Sequence, residues 1–433
     1  MKKTFLLSVL LAAAIAGCSG SSKSVQPGTD ENKGQPEPET KPAVSADPVT
    51  ISILNWNAMT DEEFERYFVK PVSSKHPNIT LKLVKKNSGT PQDAIANHLM
   101  SGEFPDLVFV SNKDINQFLL QETIYSLDEM VKTNGFDLKR FEPSAVESLQ
   151  KKGKGLVSIP WAQNVAGLFY SLDVFDKFGV PYPKDLMTWE EALDLAKTLT
   201  RKDGDTQYIG LNMSSLSQFA QSLSVSYVSP EGKALVDTPT WKRILEFYRT
   251  LYSIPGYAEV KGSLFGAKNA AMLPEWVSAI MNNAVKDPDF RWNVAGLPNF
   301  AELLGTGREI DAHTLAISAS SKHKEQAFQV IQAVTTNEVQ AEMSKFGRVP
   351  ILADQKVLAD FGSEVPVFKG KNWDAMFKVK PAKLRENATI YDSTVLNLIN
   401  PLAERIRKGE TDINTLLRET QEKADAALAE AMR

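Results

Sequence analysis

The stretch from Val49 to Val110 alternates between strand-like and helix-like segments, and this order limits the folds available to the chain. Val49–Leu54 and Ile79–Val84 alternate apolar and polar residues, whereas Leu107–Val110 is continuously apolar, which is typical of a strand covered on both faces. Helices are predicted after Thr60 and Thr90, because Thr60-Asp61-Glu62-Glu63 matches a capping box and Pro91 suits a first helical turn. Strand, helix, strand, helix, strand predicts an α/β fold with a largely parallel sheet.

The pattern returns later in the chain, which at 433 residues is too long for one compact core. Thr188–Glu191 is a second capping box, Leu315–Ser318 reads as a strand, and Lys324–Thr335 and Asp412–Arg433 read as amphipathic helices. Two lobes are therefore expected. The net charge of −4 gives no electrostatic footprint for nucleic acid and no attraction to an anionic membrane surface.

The N-terminus has the features of an export signal. Lys2 and Lys3 precede an apolar run, Phe5–Ala16, that is too short to remain as a membrane-spanning helix. It ends in Ile15-Ala16-Gly17-Cys18, which resembles a bacterial lipobox, so residues 1–17 are expected to be a signal peptide and Cys18 the lipidation site. Cys18 is the only cysteine, so no disulfide within the chain is available.

Residues 18–48 are rich in Ser, Gly, Pro, Glu and Lys and contain no aromatic residue. A segment with so little apolar surface is expected to be a disordered linker. The interpretation is a tether that holds a folded domain at the outer face of the bacterial cytoplasmic membrane.

An ordered set of segments resembles the bacterial extracellular solute-binding proteins of family 1, the maltose-type receptors of ABC importers. The segments are ISILNWN, GEFPDLVFVSN, IYSLDEMV, SIPWAQNVAGLFYSLDVFDKFGVPYPKDLMTWEEALDLAKTLT, FGAKNAAMLPEW, WNVAGLPNF, AHTLAISASSKHKEQAFQVIQAVTTNEVQ and FGRVPIL. The resemblance implies a periplasmic-binding-protein-like fold of two α/β lobes joined by a hinge of several crossings. Lobe one would be 49–161 plus 313–348 and lobe two 165–298 plus 353–433, with crossings near 160–165, 298–313 and 347–352.

The resemblance also implies a ligand cleft between the lobes, where aromatic rings stack on sugars and polar groups pair with hydroxyls. Trp189, Trp241 and Trp292 are interpreted as core residues. The candidate ligand-binding residues are Asn55, Trp56, Ser111, Asn112, Trp161, Asn164, Glu275, Trp276, Trp373 and Tyr391. Val110 and Lys113 stand where maltose-type receptors have an aromatic and an acidic residue, so a maltodextrin-like pattern is not preserved.

The function expected from the resemblance is capture of a solute, first of all an oligosaccharide, for ABC transporter permeases, by a monomer without cofactor or metal. Two alternatives stay open. The same fold could present its closed state to a membrane signalling partner, or a carboxylate pair could process glycosides. Gly-x-Ser-x-Gly, His-Glu-x-x-His and phosphate-loop motifs are absent from the sequence. A polyamine ligand is left open by Asp311, Glu275 and Asp374, whereas iron would need clustered Tyr or His residues. His313, at the second crossing, is interpreted as a hinge residue.

Overall fold

The computed structural model describes residues 47–433 apart from 58, 103, 152–153, 214, 258–267, 285–286, 288 and 410–411. The predicted signal peptide, Cys18 and most of the predicted linker lie outside the described residues. The strands are β1 Val49–Asn55, β2 Ile79–Lys85, β3 Leu107–Ser111, β4 Gln150–Lys151, β5 Gly155–Leu156, β6 Ile159–Asn164, β7 Ala166–Ser171, β8 Arg201–Asp203, β9 Thr206–Leu211, β10 Ala270–Trp276, β11 Trp292–Gly296, β12 Thr306–Glu309, β13 Asp311–Ile317 and β14 Lys380–Ala382.

The helices include a short π-helical stretch, Glu65–Val69, that joins the first two α-helices. They are α1 Asp61–Phe64, α2 Lys70–Lys75, α3 Pro91–Met100, α4 Ile115–Leu120, α5 Asp128–Thr133, α6 Pro143–Leu149, α7 Leu172–Phe178, α8 Trp189–Leu199, α9 Leu216–Gln221, α10 Pro239–Tyr252, α11 Val277–Ala284, α12 Lys324–Val334, α13 Asn337–Lys345, α14 Trp373–Phe377, α15 Asp392–Ile399, α16 Leu402–Arg407 and α17 Ile413–Ala431. Among the described residues, no helix has the length and apolar content needed to cross a membrane.

The predicted capping boxes form as expected. Thr60 accepts a hydrogen bond from the backbone of Glu63, and the Glu63 carboxylate accepts one from the Thr60 backbone N–H at 3.0 Å. Thr188 and Glu191 make the same pair, with the reciprocal bond at 2.9 Å. Each box satisfies backbone donors that the first helical turn leaves unpaired. The helix that follows Thr188 buries Trp189, as its apolar stripe predicts.

The first sheet has the strand order β2-β1-β3-β13-β6. Strand β1 pairs in parallel with β2 and β3, which confirms the parallel βαβ reading of the first part of the chain. Strand β13 runs antiparallel to both β3 and β6. The first lobe is therefore completed by two strands that arrive much later in the sequence.

The second sheet has the order β11-β7-β10-β9-β8. Strand β7 is antiparallel to β10 and β11, and β9 is parallel to β10. Pairing of Ala166 with Trp276 puts the beginning of β7 and the end of β10 at the same edge of this sheet. Helix α8 packs on it, and the two buried tryptophans Trp189 and Trp241, from α8 and α10, belong to this core.

The chain passes between the two sheets three times. It crosses at Val165, between β6 and β7, and again between β11 and β13. The third passage follows α13, where Pro350 bridges to Ala162 and the backbone N–H of Gln163 donates to Val349 at 3.0 Å. Two α/β lobes joined by neighbouring crossings make the fold that of a periplasmic binding protein, as predicted. In such folds ligands bind beyond the carboxyl ends of the strands.

Candidate ligand site between the two sheets

Asn55 ends β1 and Trp56 follows it, at the edge of the first sheet that faces the crossings. The Asn55 side chain closes its own loop, because its amide donates to the Met59 carbonyl at 2.7 Å and accepts from the Met59 N–H at 2.8 Å. Trp56 is 8% exposed. Its ring packs edge-on against Phe118 with 4.8 Å between centroids, and the Lys86 ammonium lies 3.8 Å from the centroid of the indole. Ligand contact at Trp56 would require Lys86, which is exposed, to move away.

Ser111 and Asn112, at the end of β3, are buried and already bonded within the protein. The Ser111 hydroxyl donates to Asp114 at 3.1 Å. The Asn112 amide donates to the carbonyl of Ile310 at 3.3 Å and accepts from the N–H of Ala312 at 3.1 Å. In this conformation Asn112 therefore fastens the second crossing to the first lobe.

Lys113 reaches across the cleft. Its ammonium lies 3.3 Å from Asp311 Oδ1 at the second crossing and 3.3 Å from Gln221 Oε1 in the second lobe. It is also 5.0 Å from the centroid of the Trp276 ring. One side chain of the first lobe thus touches both the hinge and the opposite lobe. In the sequence, Lys113 is a departure from the maltose-type pattern, but it was not among the predicted ligand-binding residues.

Trp276 is half-buried at the end of β10 and lies beside Arg308. The guanidinium carbon of Arg308 is 4.7 Å from the Trp276 ring centroid, and Arg308 Nη2 donates to the carbonyl of Pro274 at 3.0 Å. Glu275 accepts the backbone N–H of Trp276 at 2.8 Å, and the same oxygen is 3.7 Å from Arg308 Nη1. Burial lowers the pKa of Arg308 to about 10, with Glu275 acting in the opposite direction, so the side chain stays charged at neutral pH.

Asn164 and Asp311 link the first two crossings. The Asn164 amide donates to Asp311 Oδ2 at 3.4 Å and accepts from the backbone N–H of Ser278, in the second lobe, at 3.4 Å. Burial acts to raise the pKa of Asp311, but the charges of Lys113 and His313 and the bonds from Lys113 and Asn164 hold it below its usual value. Asp311 is therefore an anion whose partners come from the first lobe and the hinge.

His313 joins the third crossing to the first lobe. Arg348 Nη2 donates to His313 Nδ1 at 2.7 Å, and Arg348 Nη1 pairs with Glu63 at 2.8 Å. Burial, followed by the charge of Arg348, lowers the pKa of His313 to about 4. The neutral imidazole can then accept a hydrogen bond from the Arg348 guanidinium.

The structure places Trp161 and Trp373, two of the candidate ligand-binding residues, in hydrophobic cores. Trp161 is completely buried in the first-lobe core, with ring centroids 5.0 Å from Phe68 and 5.3 Å from Phe109. Trp373 is 8% exposed, packs 4.6 Å from Phe368 and donates its indole N–H to the Phe368 carbonyl. Neither ring is presented to a ligand here, because each fills a hydrophobic core. Tyr391 is half-buried against the second-lobe core at the start of α15.

A cavity of about 580 Å³ continues from Trp276 along the crossings. Asn164, Trp276 and Arg308 line it together with groups from the first lobe, such as Glu142, and from the second, such as Phe377. Its size is that of a small-molecule site. Within the described part of the chain, no group of three or more His, Cys, Asp or Glu residues is placed to hold a metal ion.

Two lobes, a multi-stranded hinge and a polar cleft with an aromatic ring at its edge define the class of two-lobed binding proteins. The family model described as "Bacterial extracellular solute-binding protein" matches residues 67–361, and the chain belongs to that family.

Individual relatives are distant. The arabinooligosaccharide-binding protein of Bacillus subtilis is 23% identical over 339 residues, 74% of this chain and 73% of that protein. An ABC substrate-binding protein of Listeria monocytogenes, solved in complex with cycloalternan, superposes with a TM-score of 0.72 at 16% identity, covering 88% of this chain and 100% of the other. The sugar-binding protein MalE of Xanthomonas citri gives a TM-score of 0.71 at 18% identity, covering 89% and 98%. At these identities the two structures show a shared fold.

Proposed function

We propose that this protein is the receptor of an ABC importer and captures a carbohydrate, most simply an oligosaccharide, between its two lobes. The observation that carries the proposal is Trp276, a half-buried indole at the carboxyl end of β10 that faces Lys113 of the opposite lobe. An indole face suits the apolar face of a pyranose, and the amide, ammonium and carboxylate groups around it suit sugar hydroxyls. A carbohydrate ligand is supported by the similarity to an arabinooligosaccharide-binding protein and to a substrate-binding protein solved with cycloalternan.

Capture is by lobe closure. Contacts that exist only when the lobes approach, such as the bond between Lys113 and Gln221 at 3.3 Å, are made or replaced when a ligand lies in the cleft. A ligand that binds both lobes stabilises the closed form and shifts the population toward it. The crossings serve as the hinge, with Asn112, Asn164 and His313 tying them to the lobes.

The cleft is better suited to holding a solute than to cleaving one. A glycosidase needs one carboxylic acid with a raised pKa and a second carboxylate free to act on the sugar. In the cleft, Asp311 is bound by Lys113 and Asn164 and its pKa is lowered, while Glu275 is bound to a backbone N–H. Glu309, whose pKa is raised by burial, is held by the side chain and the backbone N–H of Arg385. A polyamine is disfavoured for the same reason, since Asp311 and Glu275 already have cationic neighbours.

The proposal includes a lipid anchor at Cys18, supported by the lipobox and the polar segment that follows it. Replacing Cys18 with Ser should release the protein from the membrane fraction and abolish metabolic labelling with a fatty acid. Retention of both properties by the variant would overturn the anchor while leaving the receptor function untouched.

The receptor function is tested by a thermal-shift screen of the purified protein against arabino-, manno- and malto-oligosaccharides, monosaccharides and polyamines. A saccharide present at 100 times its dissociation constant should stabilise the protein by about 2.7 kcal/mol, and it should be recovered intact by mass spectrometry. Stabilisation by polyamines alone would contradict a carbohydrate receptor, and recovery of hydrolysed saccharide would contradict a pure binding role.

A further inference from the structure

The Trp276 ring has two cations beside it. The Lys113 ammonium lies 5.0 Å and the Arg308 guanidinium carbon 4.7 Å from the indole centroid. They come from different parts of the protein, Lys113 from the first lobe and Arg308 from the second crossing. A sugar that stacks on this ring, as the proposed function requires, would have its substituents within reach of both cations.

Two hydrogen-bond donors of Arg308 have no partner among the described residues. Its side chain is 3% exposed, yet its Nε and Nη1 have no hydrogen-bond partner within the described residues, and only Nη2 is satisfied, by Pro274. Glu275 is too distant for a hydrogen bond to Nη1, at 3.7 Å, and its nearest oxygen already accepts the Trp276 N–H. Buried charged donors are normally paired, because leaving them unpaired is costly. A planar guanidinium fork is best satisfied by a carboxylate.

Two carboxylates near the ring, Asp311 and Glu275, already have partners. Asp311 pairs with the Lys113 ammonium and accepts a hydrogen bond from the Asn164 amide. Glu275 accepts a hydrogen bond from the backbone N–H of Trp276. An incoming cation would meet two like charges at Trp276, whereas an incoming carboxylate would meet two donors. The unmet hydrogen-bonding capacity of Arg308 is therefore for an acceptor.

We propose that the sugar bound at Trp276 carries a carboxylate, so that the receptor selects acidic saccharides containing uronic acid residues. The carboxylate would accept hydrogen bonds from Arg308 and Lys113 while the pyranose lies against the indole. This inference rests on the proposed carbohydrate-binding function and narrows its ligand to one chemical class.

The test compares two ligands that differ only in charge, trigalacturonate and its fully methyl-esterified form, by calorimetric titration of the purified protein near neutral pH. The acid should bind at least about tenfold more tightly than the ester, as expected for one charge-assisted contact, and added salt should reduce this preference. Lys113→Met should reduce the ratio of the affinity for the acid to the affinity for the ester. Lys197→Met, on the outer surface of α8 beside Asp194, should leave this ratio unchanged.

The wild-type comparison decides the question even if a variant folds poorly. Equal or tighter binding of the ester would overturn the inference, and so would tight binding of neutral manno- or arabino-oligosaccharides with no binding of the acid. Either result would leave the receptor function standing. Failure of every saccharide to bind would overturn the proposed function and this inference together.

Discussion

Replacing Lys113 with Met should destabilise the protein although Lys113 lies near the surface of the cleft. The substitution keeps the length and apolar stem of the side chain but removes the charge that faces Asp311 at 3.3 Å. The side chains of Lys113 and Asp311 are 27% and 14% exposed. The contribution of this ion pair to stability should therefore be intermediate. Exposed pairs contribute about 0.5 kcal/mol, and disruption of fully buried pairs costs about 3–5 kcal/mol. A loss of about 2 kcal/mol in the free energy of unfolding is expected.

The pH dependence gives this prediction its signature. The pKa of Asp311 in the folded protein lies below its unfolded value, so its contribution to stability is present above the unfolded pKa and is lost as the pH falls through the folded pKa. Without Lys113, the largest effect that lowers the pKa of Asp311 is lost, so this pKa is higher in the variant than in the wild type. The stability difference between wild type and Lys113→Met should therefore be greatest near pH 7 and shrink toward about pH 4, as Asp311 takes up a proton in the variant.

Urea denaturation of both proteins at several pH values measures this difference. Lys197→Met is the matched control, because Lys197 pairs with Asp194 at 2.9 Å but the two side chains are 55% and 74% exposed. Its effect should be within about 0.5 kcal/mol at every pH. A stabilising Lys113–Asp311 pair would be refuted if Lys113→Met lost no more stability than Lys197→Met near pH 7, or if the loss in Lys113→Met did not change with pH.

Three further changes test the hinge and the two cores. The pKa of His313 in the folded protein is about 4, so between about pH 6.5 and pH 4 the unfolded chain binds a proton that the native protein does not. As the pH falls through this range, the free energy of unfolding should decrease by up to about 1.4 kcal/mol per pH unit. His313→Gln should show a shallower decrease, and an unchanged slope would contradict this assignment. Trp161→Ala should cost about 3–5 kcal/mol in urea denaturation, and a small cost would mean that the ring is not in the core. Gly210→Ala should cost about 1–3 kcal/mol, because the new Cβ would lie 2.3 Å from Ala196 Cα; wild-type stability would show that α8 and β9 can separate freely.

Local features of the fold were predictable because their causes are local. The capping boxes at Thr60 and Thr188 need only residues three positions apart. The strands Val49–Asn55 and Leu107–Ser111 show their burial in their own side-chain patterns. The order of these elements was enough to predict a parallel βαβ arrangement.

The cleft was harder to predict because its contacts join distant parts of the chain. Lys113 and Gln221 are 108 residues apart in sequence, and nothing near either residue indicates the other. Trp161 lies at a predicted crossing and Trp373 beside an irregular segment, and both are places where a cleft residue is expected. Their burial depends on which distant parts of the chain pack over them. Trp276 was selected by the family resemblance, whereas the roles of Arg308 and Lys113 emerged only from the structure.

Binding of a saccharide in the cleft against Trp276 is tested most directly by calorimetric titration of Trp276→Ala. The ligand is the saccharide that most stabilises the wild type, and the control is Tyr182→Ala, which removes a 45% exposed aromatic ring outside the cleft. Trp276→Ala should bind at least about tenfold more weakly while Tyr182→Ala binds like wild type. Wild-type affinity in Trp276→Ala would contradict the account and place the sugar elsewhere.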